Sequence, residues 1–417
     1  MKHYIHTGLA GLLLLGGASL TGCDSFVEDI DGPVDRVVGD SLDSQGQIPF
    51  LITGVKEGFN DSYDQLATLS DLLADVGQFN PAVQNSTFPT FGEIDRGEIE
   101  LDNNSNDNAY DAVNEYRFSA DDLLRRVNET IEFSDDEDGA EARRAALYSA
   151  NFHGGVARYF LGTYYSVDGQ NGAAPISEDQ ENPSAPIPTA ELYAQADAKL
   201  AEAAGLAATD YDRRVINTLR ARIALFGGDR DAAANFAQNG LVQTDEPYSG
   251  RYTSLSTNAW WIDGGRGRTQ ISINDRFVDL DSLDSRSLVE IAPPRDAGVD
   301  PGPFYRQALY LMNSDPLPFL TWQENALILA EADIFDGGDD NDARTRINAV
   351  RTSRGLADLE DGDAIDQDLL IATRDRELFT LGLRLVDQRR FGIFHLGPDK
   401  QRFFPLPQTE RNANPNI

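Results

Sequence analysis

The sequence predicts a mainly α protein made of tetratricopeptide-like helical repeats with a loop-rich capping region. Three observations carry that expectation. Apolar residues recur at spacings of three and four through most of the chain, the signature of amphipathic helices. Short Ala-lined segments near 190–205, 213–227 and 230–242 are punctuated by Gly227-Gly228-Asp229, a helix stop followed directly by an N-cap, as between the two helices of a repeat hairpin. Strand-like alternation is confined to short pieces, such as Thr269 to Ile273, within a Gly-, Ser-, Asn- and Pro-rich stretch from Tyr248 to Leu320.

The elements follow in order. Residues 1–22 have the layout of a cleavable secretory signal: Lys2 near the start, an apolar run from Leu9 to Leu15, then small residues. The run is shorter than the roughly 18 residues of a membrane-spanning helix. Leu20-Thr21-Gly22-Cys23 forms a lipobox, which makes Cys23, the only cysteine of the 417 residues, the expected site of lipid attachment. Two or three acyl chains, at roughly 0.8 kcal/mol per buried CH₂, anchor a protein almost permanently. Residues 23–46 are acidic and poor in large apolar groups, as suits a tether, and 47–417 are expected to form one domain.

Helical spacing begins at Pro49 with Phe50, Leu51, Val55 and Phe59 and continues through Leu66, Leu69, Leu72, Leu73 and Val76. A loop is expected from Gly77 to about Asn108. Helices then run from Ala109 to Ile131 and from Ala140 to Tyr165, separated by the acidic run Asp135 to Asp138. An irregular stretch follows from Ser166 to Pro188, with Gly169, Gly172 and Pro175. After the Ala-lined hairpin and the loop-rich module, helices return at Thr321 to Phe335, Asn341 to Arg354 and Asp366 to Gly382.

The formal net charge is −34, and −35 once Lys2 leaves with the signal, which excludes nucleic acid as a partner. The 35 basic residues include only four lysines (Lys2, Lys56, Lys199, Lys400). Asp102 to Asp107 and Asp339 to Asp342 have the composition of calcium loops without the full twelve-residue pattern, so a bound cation stays open, and no metal-site residue and no cofactor is assigned.

The last third, about 300–417, resembles the SusD/RagB family of outer-membrane nutrient-binding lipoproteins. The resemblance rests on Glu324-Asn325-Ala326-Leu327-Ile328-Leu329-Ala330-Glu331-Ala332, on Ile347-Asn348-Ala349-Val350-Arg351 with Arg354-Gly355-Leu356, on Asp375-Arg376-Glu377-Leu378 with Gly382-Leu383-Arg384 and Asp387-Gln388-Arg389-Arg390, and on Phe404-Pro405-Leu406-Pro407-Gln408-Thr409-Glu410. Ala142 to Tyr148 agrees in order. The sequence departs from the family pattern at Leu381, where an acidic residue is usual. The resemblance implies a SusD-like α superhelix that is lipid-anchored at the outer membrane and faces the exterior. Such a protein binds an oligosaccharide, or a peptide, and hands it to a SusC-like TonB-dependent channel.

Receptors for sugars need aromatic platforms bordered by Asn, Asp, Arg or Gln. Trp260 and Trp261, beside Asp263 and Arg266, are the leading candidates. On a strand adjacent tryptophans point to opposite faces, so at most one would bind while the other packs. Phe88 and Phe91 are further candidates and serve equally as loop anchors packed on the scaffold. The arginines of the last third, Arg351, Arg354, Arg376, Arg384, Arg389 and Arg390, sit among acidic residues at helical spacing and are expected to form ion pairs and caps. Two other readings stay open: a repeat scaffold that binds only protein, indifferent to loss of the tryptophans, and a surface glycosidase using paired carboxylates. The chain has no Gly-x-Ser-x-Gly elbow, no His-Glu-x-x-His and no phosphate-binding Gly-rich loop, so no enzyme is expected.

Overall fold

The computed structural model describes residues 39–83, 86–179, 181–281, 284–292 and 303–417. Cys23, the signal and most of the tether lie outside the described residues. Fourteen α-helices are described: α1 (Ile48–Leu73), α2 (Pro89–Asp95), α3 (Asn104–Glu129), α4 (Glu137–Tyr164), α5 (Thr189–Leu206), α6 (Asp210–Phe226), α7 (Arg230–Ala237), α8 (Ala259–Asp263), α9 (Arg276–Asp281), α10 (Trp322–Phe335), α11 (Asp340–Ser353), α12 (Gln367–Glu377), α13 (Arg384–Phe391) and α14 (Gln408–Ala413). No helix among the described residues is long and apolar enough to cross a membrane.

The long helices α1, α3 and α4 pack on one another, and α4 lies along α5. They share an aromatic core in which Phe59 stacks on Tyr63 and Phe319 meets both rings edge-on, 5.3 and 4.9 Å between centroids. The helices of the repeat region carry small satellite cores: Ala221, Leu225, Ala233, Ala237 and Ile328 join α6, α7 and α10, while Leu327, Ile347, Val350 and Leu370 join α10, α11 and α12. Alanines at these positions let the helix axes approach closely, so each pair buries its face on a neighbour.

The punctuation works as the sequence predicts. Gly228 takes φ +87°, and the Asp229 carboxylate accepts the Ala232 N–H at the start of α7. Gly355 also has positive φ after α11. Three boundaries differ. α4 begins at Glu137, because Asp136 accepts the Gly139 N–H and caps it. The expected loop from Gly77 to Asn108 contains α2 and the first turn of α3, which Asn103 starts by accepting the Ser105 and Asn106 N–H groups. α12 stops at Glu377 rather than Gly382: Gly382 takes φ +73° and donates its N–H to Asp71 of α1, and a Cβ there would lie 2.6 Å from the Ala67 Cα.

The module from 248 to 320 holds short strands. Residues 77–78, 272–273, 305–307 and 289–291 form a four-stranded sheet in that order, and Tyr248–Gly250 pairs antiparallel with Leu317–Leu320. At the other end the chain returns on itself. Phe404–Pro405 runs parallel to Tyr165–Ser166, the Gln408 N–H reaches the Leu101 carbonyl, and Asn106 Nδ2 donates to the Pro405 carbonyl.

The arginine expectation is met by geometry. Arg374 bonds Asp387 through Nε at 2.8 Å, Arg390 bridges Glu331 and Asp387, Arg384 bonds Asp75, and Arg354 pairs with Glu377. Arg351 caps the Ala357 carbonyl, and Arg389 donates to the Thr163 and Arg402 carbonyls. Arg376 Nε, by contrast, is buried without an acceptor.

Candidate ligand-binding site

A cavity of about 290 Å³ opens where the module from 248 to 320 lies over the side of the helical core. Its floor comes from α1. Asp61, Asp64, Gln65, Thr68 and Leu69 recur at spacings of three and four, so one helix face presents all of them. One wall is the N-terminal turn of α3 (Asn104, Ser105, Asn108), where helix N–H groups and the positive end of the helix dipole gather. Another is α2, begun by Pro89, which sets Phe88 and Phe91 edge-to-face with centroids 6.0 Å apart. The Thr90 and Ser105 hydroxyls (2.9 Å) and Asn103 Nδ2 to the Thr90 carbonyl (2.9 Å) lock α2 to α3.

The roof is α8 with the turn that follows it. Asn258 caps α8, and its first N–H, from Ala259, is donated to Asp64 Oδ2 at 2.8 Å, fastening the roof to the floor. Ala259, Ile262 and Asp263 face the cavity. The chain then reverses at Gly265, with φ +115°, and brings Arg268 to 4.8 Å over the Phe88 ring. Gln270 Oε1 accepts the N–H groups of Thr87 (2.9 Å) and Phe88 (3.1 Å), so this buried amide fixes the aromatic wall.

The predicted residues separate. Phe88 and Phe91 both line the cavity, Phe88 half-buried and Phe91 only 7% exposed, so packing takes most of the Phe91 surface. Trp260 is 0% exposed and offers no face to a ligand. Trp261 is half-buried, donates its indole N–H to the Leu311 carbonyl at 3.2 Å and lies outside the cavity wall. The strand expected around the tryptophans is corrected to a helical turn: Asn258 accepts the Trp261 N–H, and the Gly264 N–H returns to the Trp260 carbonyl at 3.0 Å. Sequence reasoning missed the α1 face, Arg268 and Gln270. No local pattern marks them, since a polar helix face reads as ordinary solvated surface until the roof covers it.

The electrostatics are unusual for a buried setting. Asp64 is 4% exposed; burial pushes its carboxyl well up, the Ala259 N–H opposes, and Asp61 and Asp263 add to the rise. Burial also pushes Asp263 up to about 6, against the pull of Arg268. Asp61, Asp64 and Asp263 form no ion pair among the described residues, and Thr68 Oγ1 and Asp263 Oδ1 are buried without a hydrogen-bond partner. The arrangement offers an apolar face, one guanidinium, three carboxylates and the amides of Gln65, Asn104 and Asn108. That set recognises a ligand with an apolar face and several hydroxyl or amine groups.

A larger cleft of about 610 Å³ lies between Trp322, Gln323, Tyr310 and the segment 377–381. Its arginines are occupied: Arg354 with Glu377, and Arg286 with Asp284 at 2.7 Å. Charges already matched within the protein leave less to recognise a ligand, so the smaller cavity is the stronger candidate.

The sequence matches no family model and no curated protein. The fold does have solved counterparts. A SusD superfamily protein from Bacteroides thetaiotaomicron VPI-5482 superposes with a TM-score of 0.73 at 15% identity, covering 90% of this chain and 99% of the other. A SusD-like carbohydrate binding protein from Bacteroides vulgatus ATCC 8482 gives 0.67 at 18% identity, covering 90% and 97%. Surface glycan-binding protein A from Bacteroides thetaiotaomicron gives 0.68 at 13% identity, covering 89% and 98%. Superposed on these structures over about nine-tenths of its length, the chain has the fold of the SusD superfamily.

Proposed function

We propose that this protein is a non-enzymatic surface receptor that binds a nutrient, an oligosaccharide, in the cavity between α1, α2, α3 and α8, and delivers it to a SusC-like TonB-dependent channel. The observation that carries the reading is the cavity itself, an aromatic wall and unpaired polar groups set on this fold. Two of the structures it resembles are named for binding carbohydrate or glycan, which supports the ligand class. Cys23 supplies the lipid anchor and the outer-membrane location in this reading. Phe88 and Phe91 form the apolar wall, while Trp261 borders the roof and serves as reporter.

Titration of the full chain in detergent with a panel of oligosaccharides and peptides, followed by tryptophan fluorescence, tests the proposal. A saturable response in the micromolar to millimolar range, roughly −8 to −4 kcal/mol, is expected for one glycan class. Phe88→Ala is expected to weaken it at least tenfold in a protein that still unfolds cooperatively. Response to peptides alone would replace the sugar with a peptide ligand, and a response indifferent to Phe88 would move the site. Cys23→Ala is expected to abolish incorporation of labelled fatty acid and release the protein from the membrane fraction.

A further inference from the structure

We infer that the ligand of this cavity carries free amines, and that the site selects an amino-bearing oligosaccharide over its neutral and its acidic counterparts. The inference rests on the cavity being the glycan site proposed above. Three carboxylates line a space of about 290 Å³, and among the described residues Arg268 is the only cationic side chain on its wall. Arg268 is engaged over the Phe88 ring and forms no salt bridge with any of the three.

Elsewhere several buried acids are matched by arginine, as in Asp387 with Arg374 and Glu331 with Arg390, while Asp71 is held by the Gly382 N–H. In this cavity Arg268 pulls on Asp263, but among the described residues no side chain forms such an ion pair with Asp61, Asp64 or Asp263. Asp64, nine-tenths buried, spends Oδ2 on the Ala259 N–H, and the Thr68 hydroxyl one turn along α1 is unpartnered. Asp61 and Asp263 lie close enough to oppose ionisation of Asp64. A neutral hydroxyl leaves that repulsion in place, a carboxylate or sulfate adds to it, and an ammonium group cancels it while donating up to three hydrogen bonds.

Among the described residues no group of three or more His, Cys, Asp or Glu side chains could hold a metal ion. The Phe88 ring supplies the apolar face on which a pyranose stacks, and Gln65, Asn104 and Asn108 supply amides for its remaining hydroxyls.

The test is calorimetric titration of the full chain near neutral pH with three probes of equal length: glucosamine oligomers, N-acetylglucosamine oligomers and galacturonate oligomers. The glucosamine oligomer is expected to bind at least tenfold tighter than the acetylated one, and the galacturonate not measurably. Asp61→Asn and Asp263→Asn are each expected to shrink the amine preference to within about threefold. Equal or tighter binding of the acetylated oligomer, or a preference that survives both substitutions, overturns the amine assignment and leaves the glycan reading standing. No binding of any saccharide, in this set or in the wider panel, overturns both. Lysine peptides bound as tightly as the glucosamine oligomer would overturn the saccharide class.

Discussion

Two regions of this molecule bury charge in opposite ways. In the repeat region, buried charges are closed off in pairs: Arg222 and Glu324, each 1% exposed at the side chain, meet at 2.5–2.6 Å, with the guanidinium 4.7 Å over the Phe319 ring. Around α1 and α8, buried Asp64, half-buried Asp263 and exposed Asp61 face one cavity, where Arg268 forms no salt bridge with any of them among the described residues. Matched pairs lock α6 to α10 and α12 to α13 and leave little for a ligand to do. Unmatched acids cost stability and leave an energetic gain that only a bound group can realise, which is why function is assigned to the second region and scaffolding to the first.

The comparison can be broken or sharpened by substitution, from the largest effect to the smallest. Glu324→Ala strands the Arg222 guanidinium in the core and is expected to cost about 3–5 kcal/mol, read from denaturant unfolding. A loss below about 1 kcal/mol would mean that the pair is not closed off from water. Asp263→Asn is expected to do the reverse and stabilise the unliganded protein by roughly 1–3 kcal/mol at neutral pH.

The sign follows from the pKa. Asp263 titrates near 6 when folded, above its ordinary value near 3.8, so its ionised form opposes folding. The penalty is complete above about pH 6 and fades as pH falls toward 4. The gain from Asp263→Asn should therefore disappear in acid, and a gain independent of pH would contradict burial of the charged carboxylate as its cause. Smallest of all, Arg230→Ala removes a half-exposed pair with Asp336 and should change stability by no more than about 0.5 kcal/mol.

Much of the scaffold was legible because its signals are local. Gly227-Gly228-Asp229 ends one helix and starts the next, and the arginines of the last third sit at spacings that reach acids one turn or one helix away. The cavity was legible only in part. Phe88 and Phe91 stood out as aromatics in a polar loop, and both line it. Trp260 stood out for the same reason and is core, since aromatic character alone does not distinguish a platform from packing. Asp61, Asp64 and Thr68 carried no mark, because what makes them a site is the Ala259 N–H arriving from a segment 195 residues away.

The segment that ends the chain bears on how the protein is made. Gln401 meets Gly97 and Ile99, Phe404 pairs with Tyr165, Gln408 meets Leu101, and Asn414 reaches the Ser184 carbonyl. Residues 97–184 thus wait on residues 401–414 for these partners, so that stretch stays unfinished until the later segment is available. In that interval Tyr165 lacks the cover of the Phe404 ring, and transiently exposed apolar surface of this kind is prone to aggregate.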